Sequence, residues 1–130
     1  MKPTDLCPCF SGRTYKQCCR PYHEGKPAPS PEALMRSRYS AYALGKTEYI
    51  IATTHPDSPH YGKDMAAWRA DIDAFSQNTR FVGLEILAAD NTTVTFHARL
   101  MAGKDDVSFR EHSVFARDGG RWKYLKGMQF

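Results

Sequence analysis

The spacing of apolar residues along the chain changes near Arg80. Before that point they recur every three or four residues, which is typical of helices packed on one side. Ser30 as a cap, Pro31 in the first turn and Gly45 as a stop predict a long first helix. Two further helices are predicted over residues 47–54 and 64–77.

After Arg80 the apolar residues alternate with polar ones, which is the period of a half-buried strand. This alternation predicts strands over residues 81–89, 92–101, 107–117 and 121–128. Asp118-Gly119-Gly120 is a strong hairpin signal before the last of them. Three helices followed by hairpin-linked strands predict an α+β fold, in which a curved antiparallel sheet wraps around the long helix.

Three charged or titratable side chains are candidates for a pocket in this body: Arg38, His97 and Glu111. Arg38 lies within the apolar stripe of the first helix, and Glu111 alternates with Phe109, Ser113 and Phe115. Because an unpaired buried carboxylate is costly, we hypothesise an internal ion pair between Arg38 and Glu111. The alternative is that Glu111 lies at the edge of the sheet in water and that Arg38 reaches solvent from the edge of its stripe.

The composition fits one ordinary domain with an appendage. The 130 residues are 42% apolar and 25% charged, which is typical of globular proteins. The sequence has no apolar run long enough to span a membrane, and its first residues lack the apolar core of a secretory signal. We therefore expect a cytoplasmic protein.

All four cysteines lie in one stretch of thirteen residues, Cys7-Pro8-Cys9 to Cys18-Cys19. Two thiolates at each end of a short loop suit one tetrahedral metal ion, and thiolates favour zinc. Disulfides within the adjacent pairs would be strained and are rare in the cytosol. Free or redox-active thiols are the main alternative, and His23 is a possible substitute ligand. A closed four-thiolate site has a structural role, because it leaves no open coordination position.

These observations divide the chain into three parts. Residues 1–20 form a small metal-binding unit, called the knob below. Residues 21–30 are predicted to be a linker without helix, because they contain three prolines and a glycine. Residues 31–130 form the body.

The positive charge of the protein is concentrated at its N-terminal end. Of the formal net charge of +4, the first 26 residues contribute +3, from five basic and two acidic side chains. A folded, basic unit of this size favours docking on a protein partner. We expect no nucleic-acid binding, because the charge is small and the knob lacks a row of aromatic side chains for stacking.

The stretch CPCFSGRTYKQCC resembles the SEC-C motif, which is found at the C-terminus of the SecA translocation ATPase and in other bacterial proteins. The resemblance implies that zinc is held by Cys7, Cys9, Cys18 and Cys19 and that the segment serves partner binding. This chain departs from the motif at Phe10, where glycine is usual. Phenylalanine would be strained there if the position requires a positive φ.

The rest of the chain resembles the YchJ-like family of small bacterial proteins. The shared patterns are LMRSRYSAY from Leu34, the dipeptide His55-Pro56, Glu111-His112-Ser113 and GRWKY from Gly120. The resemblance implies a body with the nuclear transport factor 2-like fold, also called a cystatin-like roll. It implies no activity.

Two functions from different classes follow. The first is a cytosolic zinc-binding adaptor that docks through the knob and has no catalytic residues. The second is a small-molecule binder, or an isomerase- or dehydratase-like enzyme, that uses the pocket of the roll. Redox sensing by the cysteines is a third possibility. We also expect that the outer face of the sheet could form a homodimer.

Overall fold

In the computed structural model, which describes residues 2–130, helices come first and strands follow. The helical elements are a 3-10 turn at Tyr15–Gln17, α1 (Arg20–His23), α2 (Pro31–Leu44), α3 (Thr47–Ala52) and α4 (Met65–Asn78). The strands are β1 (Arg80–Ala89), β2 (Thr93–Ala102), β3 (Asp105–Asp106), β4 (Phe109–Asp118) and β5 (Arg121–Gln129). The predicted α+β class is confirmed. No helix among these elements is long and apolar enough to cross a membrane, as far as residues 2–130 are concerned.

The strands form one antiparallel sheet in the order β1-β2-β4-β5. The two-residue strand β3 pairs with the end of β2, and the sequence analysis missed it because so short a segment has no periodicity. Register shifts interrupt the pairing of β1 with β2 at Phe81/Gly83 and of β4 with β5 at Val114/Phe115. Such bulges bend a sheet and increase its twist, so they favour a sheet that curves around a helix.

Helix α2 packs against this sheet. Its ends are those predicted: the Ser30 hydroxyl accepts a hydrogen bond from the Ala33 N–H (3.2 Å), and Gly45 takes the left-handed conformation with φ of 71°. Leu34, Met35 and Tyr39 of α2 belong to the same buried cluster as the inward-facing residues of β2, which are Val94, Phe96, Ala98 and Leu100.

Tyr39 links α2 to the bulge in β1 by hydrogen bonds as well as by packing. Its hydroxyl donates to the Gly83 carbonyl (2.7 Å) and accepts from the Gly83 N–H (3.2 Å). Both bonds fall on the residue that follows the register shift between Phe81 and Gly83. One side chain therefore fixes the distance between the helix and the edge strand.

The prediction that the segment after the knob contains no helix is wrong, since α1 occupies Arg20–His23. Pro21 lies in the first turn of α1, where a residue without an N–H group costs no hydrogen bond. His23 packs onto the body: its Nε2–H donates to the Ser37 carbonyl of α2 (2.8 Å). The knob is consequently joined to the body by a folded, partly buried segment.

The outer face of the sheet carries large apolar side chains in water, which include Val82 and Leu87 of β1 and Met128 of β5. A homodimer through this face stays a prediction.

Candidate metal centre and ligand cavity

The four cysteine sulfurs form a compact, buried cluster. All four Sγ atoms lie within 4.8 Å of one another, and no cysteine is more than 5% exposed. The Cys9–Cys18 and Cys18–Cys19 sulfur pairs are 3.5 and 3.8 Å apart. In a zinc tetrathiolate with bonds of about 2.3 Å, the sulfurs are about 3.8 Å apart. The donor atoms present therefore fit one tetrahedral ion.

The backbone of the knob creates this cluster by closing a short loop. The Cys7 N–H donates to the Arg13 carbonyl (2.8 Å), next to an isolated bridge between Leu6 and Thr14. The 3-10 turn that follows brings the Cys18 N–H to the Tyr15 carbonyl (3.1 Å). The two cysteine pairs thus meet although eight residues separate them.

The thiols of the cluster cannot all ionise in the absence of a cation. Hydrogen bonds from Cys19 and Cys7 lower the pKa of Cys9, whereas hydrogen bonds to Cys7 and Cys9 raise the pKa of Cys19. One thiolate is thus stabilised at the expense of its neighbours, because like charges at this distance repel. A bound divalent cation would remove this conflict and stabilise four thiolates together.

Phe10 adopts the left-handed conformation at the position where the motif usually has glycine. Its φ is 62°, and it is the one non-glycine residue with positive φ among residues 2–130. Its ring is 49% exposed and contacts the edge of Tyr39 (6.3 Å between ring centroids). The chain therefore accepts backbone strain here and regains part of that cost through an aromatic contact.

His23 is not part of the sulfur cluster. Its Nδ1 accepts from the Tyr15 hydroxyl (2.7 Å), and its Nε2–H is bound to Ser37 of α2. Burial lowers the pKa of His23, so the ring stays neutral and can accept and donate at once. This residue links the knob to the body and leaves the metal site to the cysteines.

A second candidate site is a cavity of about 440 Å³ between α2, α3, α4 and the inner face of the sheet. Its wall consists mainly of aromatic rings, which come from both the helices and the strands. They include Tyr42, Trp68, Phe75, Phe81, Phe96, Phe109 and Phe115. Polar side chains enter this wall from α2, β4 and β5, and Thr54 and His60 enter it from the segment between α3 and α4.

Arg38 is the buried cation of the cavity wall, at 9% exposure. Its Nη1 donates to the Ile50 carbonyl (3.1 Å) and to the hydroxyls of Thr53 (2.8 Å) and Thr54 (3.2 Å). The guanidinium carbon lies 4.9 Å from the centre of the Tyr124 ring, which is a cation–π distance. All these partners are electrically neutral.

Glu111 enters the same cavity from β4, as the alternation of the strand predicted. Its Oε2 accepts hydrogen bonds from the hydroxyls of Ser113 and Tyr124, the latter at 3.4 Å. Gly127 on β5 makes room for this carboxylate, because a Cβ at that position would overlap it. Burial, followed by the charge of Glu111, raises the pKa of Tyr124, so its phenol stays protonated and donates.

Two predictions about the pocket residues need correction. Arg38 and Glu111 line one cavity, but no ion pair joins them within 4 Å, and Tyr124 contacts both instead. His97 does not line the cavity: it alternates with the inward-facing Phe96 and Ala98, and its Nδ1 lies 3.9 Å from Glu85 on the outer face. The two-residue period of a strand places Glu111 of β4 on the inner face of the sheet, and the same period places His97 of β2 on the outer face.

Tyr124 contacts both charged groups and was not predicted from the sequence. Thr53 and His55 fix its position, since the Tyr124 N–H donates to the Thr53 carbonyl and the His55 N–H to the Tyr124 carbonyl, both at 2.8 Å. The alternation of β5 was a signal for an inward-facing residue. Nothing in that pattern indicated the contact with the segment after α3.

Comparison with known proteins agrees with this architecture. The model of the YchJ middle NTF2-like domain matches residues 30–127, and the SEC-C motif model matches residues 4–21. The chain is thus an NTF2-like domain preceded by a SEC-C motif. It belongs to the YchJ-like family, whose curated members are called UPF0225 proteins.

Relatives of this chain are similar over nearly their whole length. A UPF0225 protein of Deinococcus radiodurans is 43% identical over 95% of this chain and 88% of its own. A second UPF0225 protein, from Pectobacterium carotovorum, is 38% identical over 96% of this chain and 84% of its own length. The solution structure of a SEC-C motif containing protein from Rhodopseudomonas palustris matches with a TM-score of 0.80 and 36% identity, over 95% of this chain and 98% of that one. A crystal structure of a SEC-C motif containing protein from Psychrobacter arcticus matches with a TM-score of 0.75 and 26% identity. The match covers 95% of this chain and 82% of that one.

The conformation of Phe10 leads to a prediction about stability. Replacing it with glycine removes the left-handed strain and should raise the free energy of unfolding by about 0.5–1 kcal/mol, since the lost contact with Tyr39 offsets part of the gain. Phe10→Ala is the matched control: it keeps the strain, removes the ring and should lower stability. Urea denaturation measures both. A glycine variant less stable than the alanine variant would contradict the account.

Proposed function

We propose that this protein binds a small, largely apolar molecule in the cavity of the body. The carrying observation is the cavity itself: about 440 Å³, walled by aromatic rings, with Arg38, Tyr124 and Glu111 among its few polar groups. Cavities of about 300–1,000 Å³ with this composition are typical of ligand sites. The aromatic wall supplies apolar area, and the polar groups orient the ligand.

The proposal is for binding and assigns no catalytic residue. The two hydrogen bonds that Glu111 accepts fall on one oxygen, and both donors are neutral hydroxyls held by the sheet. This arrangement resembles a satisfied structural carboxylate more than an acid–base pair prepared for proton transfer. The fold alone does not favour a particular reaction.

Filling the cavity should abolish binding. Ala98 is buried on β2 and lines the cavity, so Ala98→Phe places a ring in the ligand space. We expect it to weaken binding of the neutral fluorescent probe N-phenyl-1-naphthylamine at least tenfold, which is about 1.4 kcal/mol. Fluorescence titration measures the affinity.

The control is Ala116→Phe, because Ala116 lies on β4 outside the cavity wall. It should bind the probe as the wild type does. Equal affinity in all three proteins, or no binding to the wild type, would contradict the proposal.

We further propose that the ion of the knob is zinc and that its role is structural. The four buried sulfurs have the tetrahedral spacing described above, and their chemistry favours zinc. Four protein thiolates leave no position for a substrate. Because such a site needs reduced cysteines, we also propose a cytoplasmic location.

The metal assignment predicts different results for two variants. Cys18→Ser should reduce the zinc content well below one ion per chain and lower the melting temperature by several degrees, because metal binding contributes to folding. His23→Gln should retain the ion, since His23 is bound to Tyr15 and Ser37. Inductively coupled plasma mass spectrometry gives the metal content. Zinc loss in His23→Gln alone would overturn the ligand assignment.

Docking on a protein partner is a second candidate function, and the surface of the knob favours it. Leu6 is 68% exposed and Phe10 49% exposed, while the basic side chains of Arg13 and Lys16 are also in water. Two exposed apolar residues within a basic unit are typical of a contact surface rimmed by polar groups. This surface would act independently of the cavity.

A point substitution tests docking better than removal of the knob, because the cysteines share a hydrophobic cluster with Leu34 and Met35. Leu6→Ser should abolish capture of a specific partner from cell extract, measured by quantitative mass spectrometry. Leu87→Ser, a matched change on the outer face of the sheet, should leave capture intact. A partner that binds Leu6→Ser as well as wild type would refute docking through this surface.

A further inference from the structure

We infer that the ligand of the cavity is an organic anion. Its apolar part packs against the aromatic walls, and its single carboxylate-like group is bound by Arg38. The inference deepens the function proposed above and rests on it. It follows from the charge, the unused hydrogen-bond donors and the surroundings of Arg38.

No carboxylate of residues 2–130 lies within 4 Å of the Arg38 guanidinium nitrogens. None of the ion pairs among residues 2–130 includes Arg38, although the residue is only 9% exposed. Its protein partners are one carbonyl, two hydroxyls and the face of an aromatic ring. A buried cation without a counterion costs free energy, and an anionic ligand would offset that cost.

The guanidinium also has donors left over. All of its hydrogen bonds in the described structure use Nη1, which leaves the hydrogens on Nε and Nη2. Neither of these nitrogens is fully buried, and Arg38 lines the cavity. The edge formed by Nε and Nη2 is the fork that binds a carboxylate through two parallel hydrogen bonds.

The bonds on Nη1 hold this fork in place before a ligand arrives. Thr53 and Thr54 follow the last turn of α3, and the Ile50 carbonyl belongs to that turn. Tyr124 covers one face of the guanidinium. A donor group fixed in advance loses little conformational entropy on binding, which favours affinity.

Arg38 selects an anionic ligand, and Glu111 determines how that ligand is oriented in the cavity. The Oε2 of Glu111 already accepts from two hydroxyls, one of which belongs to Tyr124, whose ring faces the Arg38 guanidinium. An anionic group is repelled from the Glu111 end and attracted to the Arg38 end of one cavity. The apolar body then lies along the aromatic wall.

Two probes with the same phenylbutyl skeleton, one ending in a carboxylate and the other in a neutral hydroxyl, test the inference on the unmodified protein. They are 4-phenylbutyrate and its neutral counterpart 4-phenyl-1-butanol, compared by isothermal titration calorimetry at pH 7. We expect the wild type to bind the acid at least tenfold more tightly than the alcohol, which corresponds to about 1.4 kcal/mol. Equal affinities, or a preference for the alcohol, would overturn the inference and leave the cavity-binding proposal intact.

Variants then identify the residue that causes the acid to bind more tightly than the alcohol. Arg38→Gln should bind the two probes equally, Arg38→Lys should keep part of the preference, and Glu111→Gln should bind the acid at least as tightly as wild type. Arg99→Gln, a matched change of an exposed arginine on β2, should keep the full preference. Loss of the preference in Arg99→Gln but not in Arg38→Gln would place the anion elsewhere and refute the assignment.

The same titrations separate this inference from the proposed function. If neither probe nor the neutral naphthylamine binds, the cavity proposal itself fails. Because Arg38 also bonds to the end of α3, circular dichroism should first confirm that Arg38→Gln is folded. If it is not, the acid–alcohol comparison on wild type decides the question alone.

Discussion

The burial of α2 on several sides at once is the constraint on which the rest of the structure depends. One face packs on the sheet through Leu34 and Tyr39, and another packs on α3 and α4 through Ala41. Its polar residues Ser37, Arg38 and Ser40 are consequently buried as well. Each must find hydrogen-bond partners, because a buried polar group without one costs about 1–3 kcal/mol.

The hydrogen bonds of Ser37 connect the body to the metal-binding knob. The Ser37 hydroxyl donates to the Leu34 carbonyl within α2, and its carbonyl accepts from His23. His23 in turn accepts from Tyr15, within the loop that presents the cysteines. Arg36 adds a hydrogen bond to the Cys9 carbonyl (3.2 Å). Folding of the knob and packing of the body are therefore coupled, and the knob is less independent than a separate module on a linker.

The hydrogen bonds of Arg38 fix one part of the cavity wall. Its partners are the carbonyl and hydroxyl groups at the end of α3, where the helix dipole favours a cation. The helix end thus replaces the carboxylate that the sequence analysis had assigned to Arg38. Since neutral partners stabilise the charge without cancelling it, the guanidinium remains attractive to an anion in the cavity.

The sequence by itself determined the local features: the change of period near Arg80, the Ser30 and Gly45 ends of α2, the cysteine set and the departure from the motif at Phe10. These depend on neighbours in the chain and on the chemistry of single side chains. Only the tertiary structure decided that Arg20–His23 forms a helix against the body and that Tyr124 contacts both Arg38 and Glu111. Those outcomes depend on contacts between distant segments, such as the bonds of Tyr124 to Thr53 and His55, which no local pattern encodes.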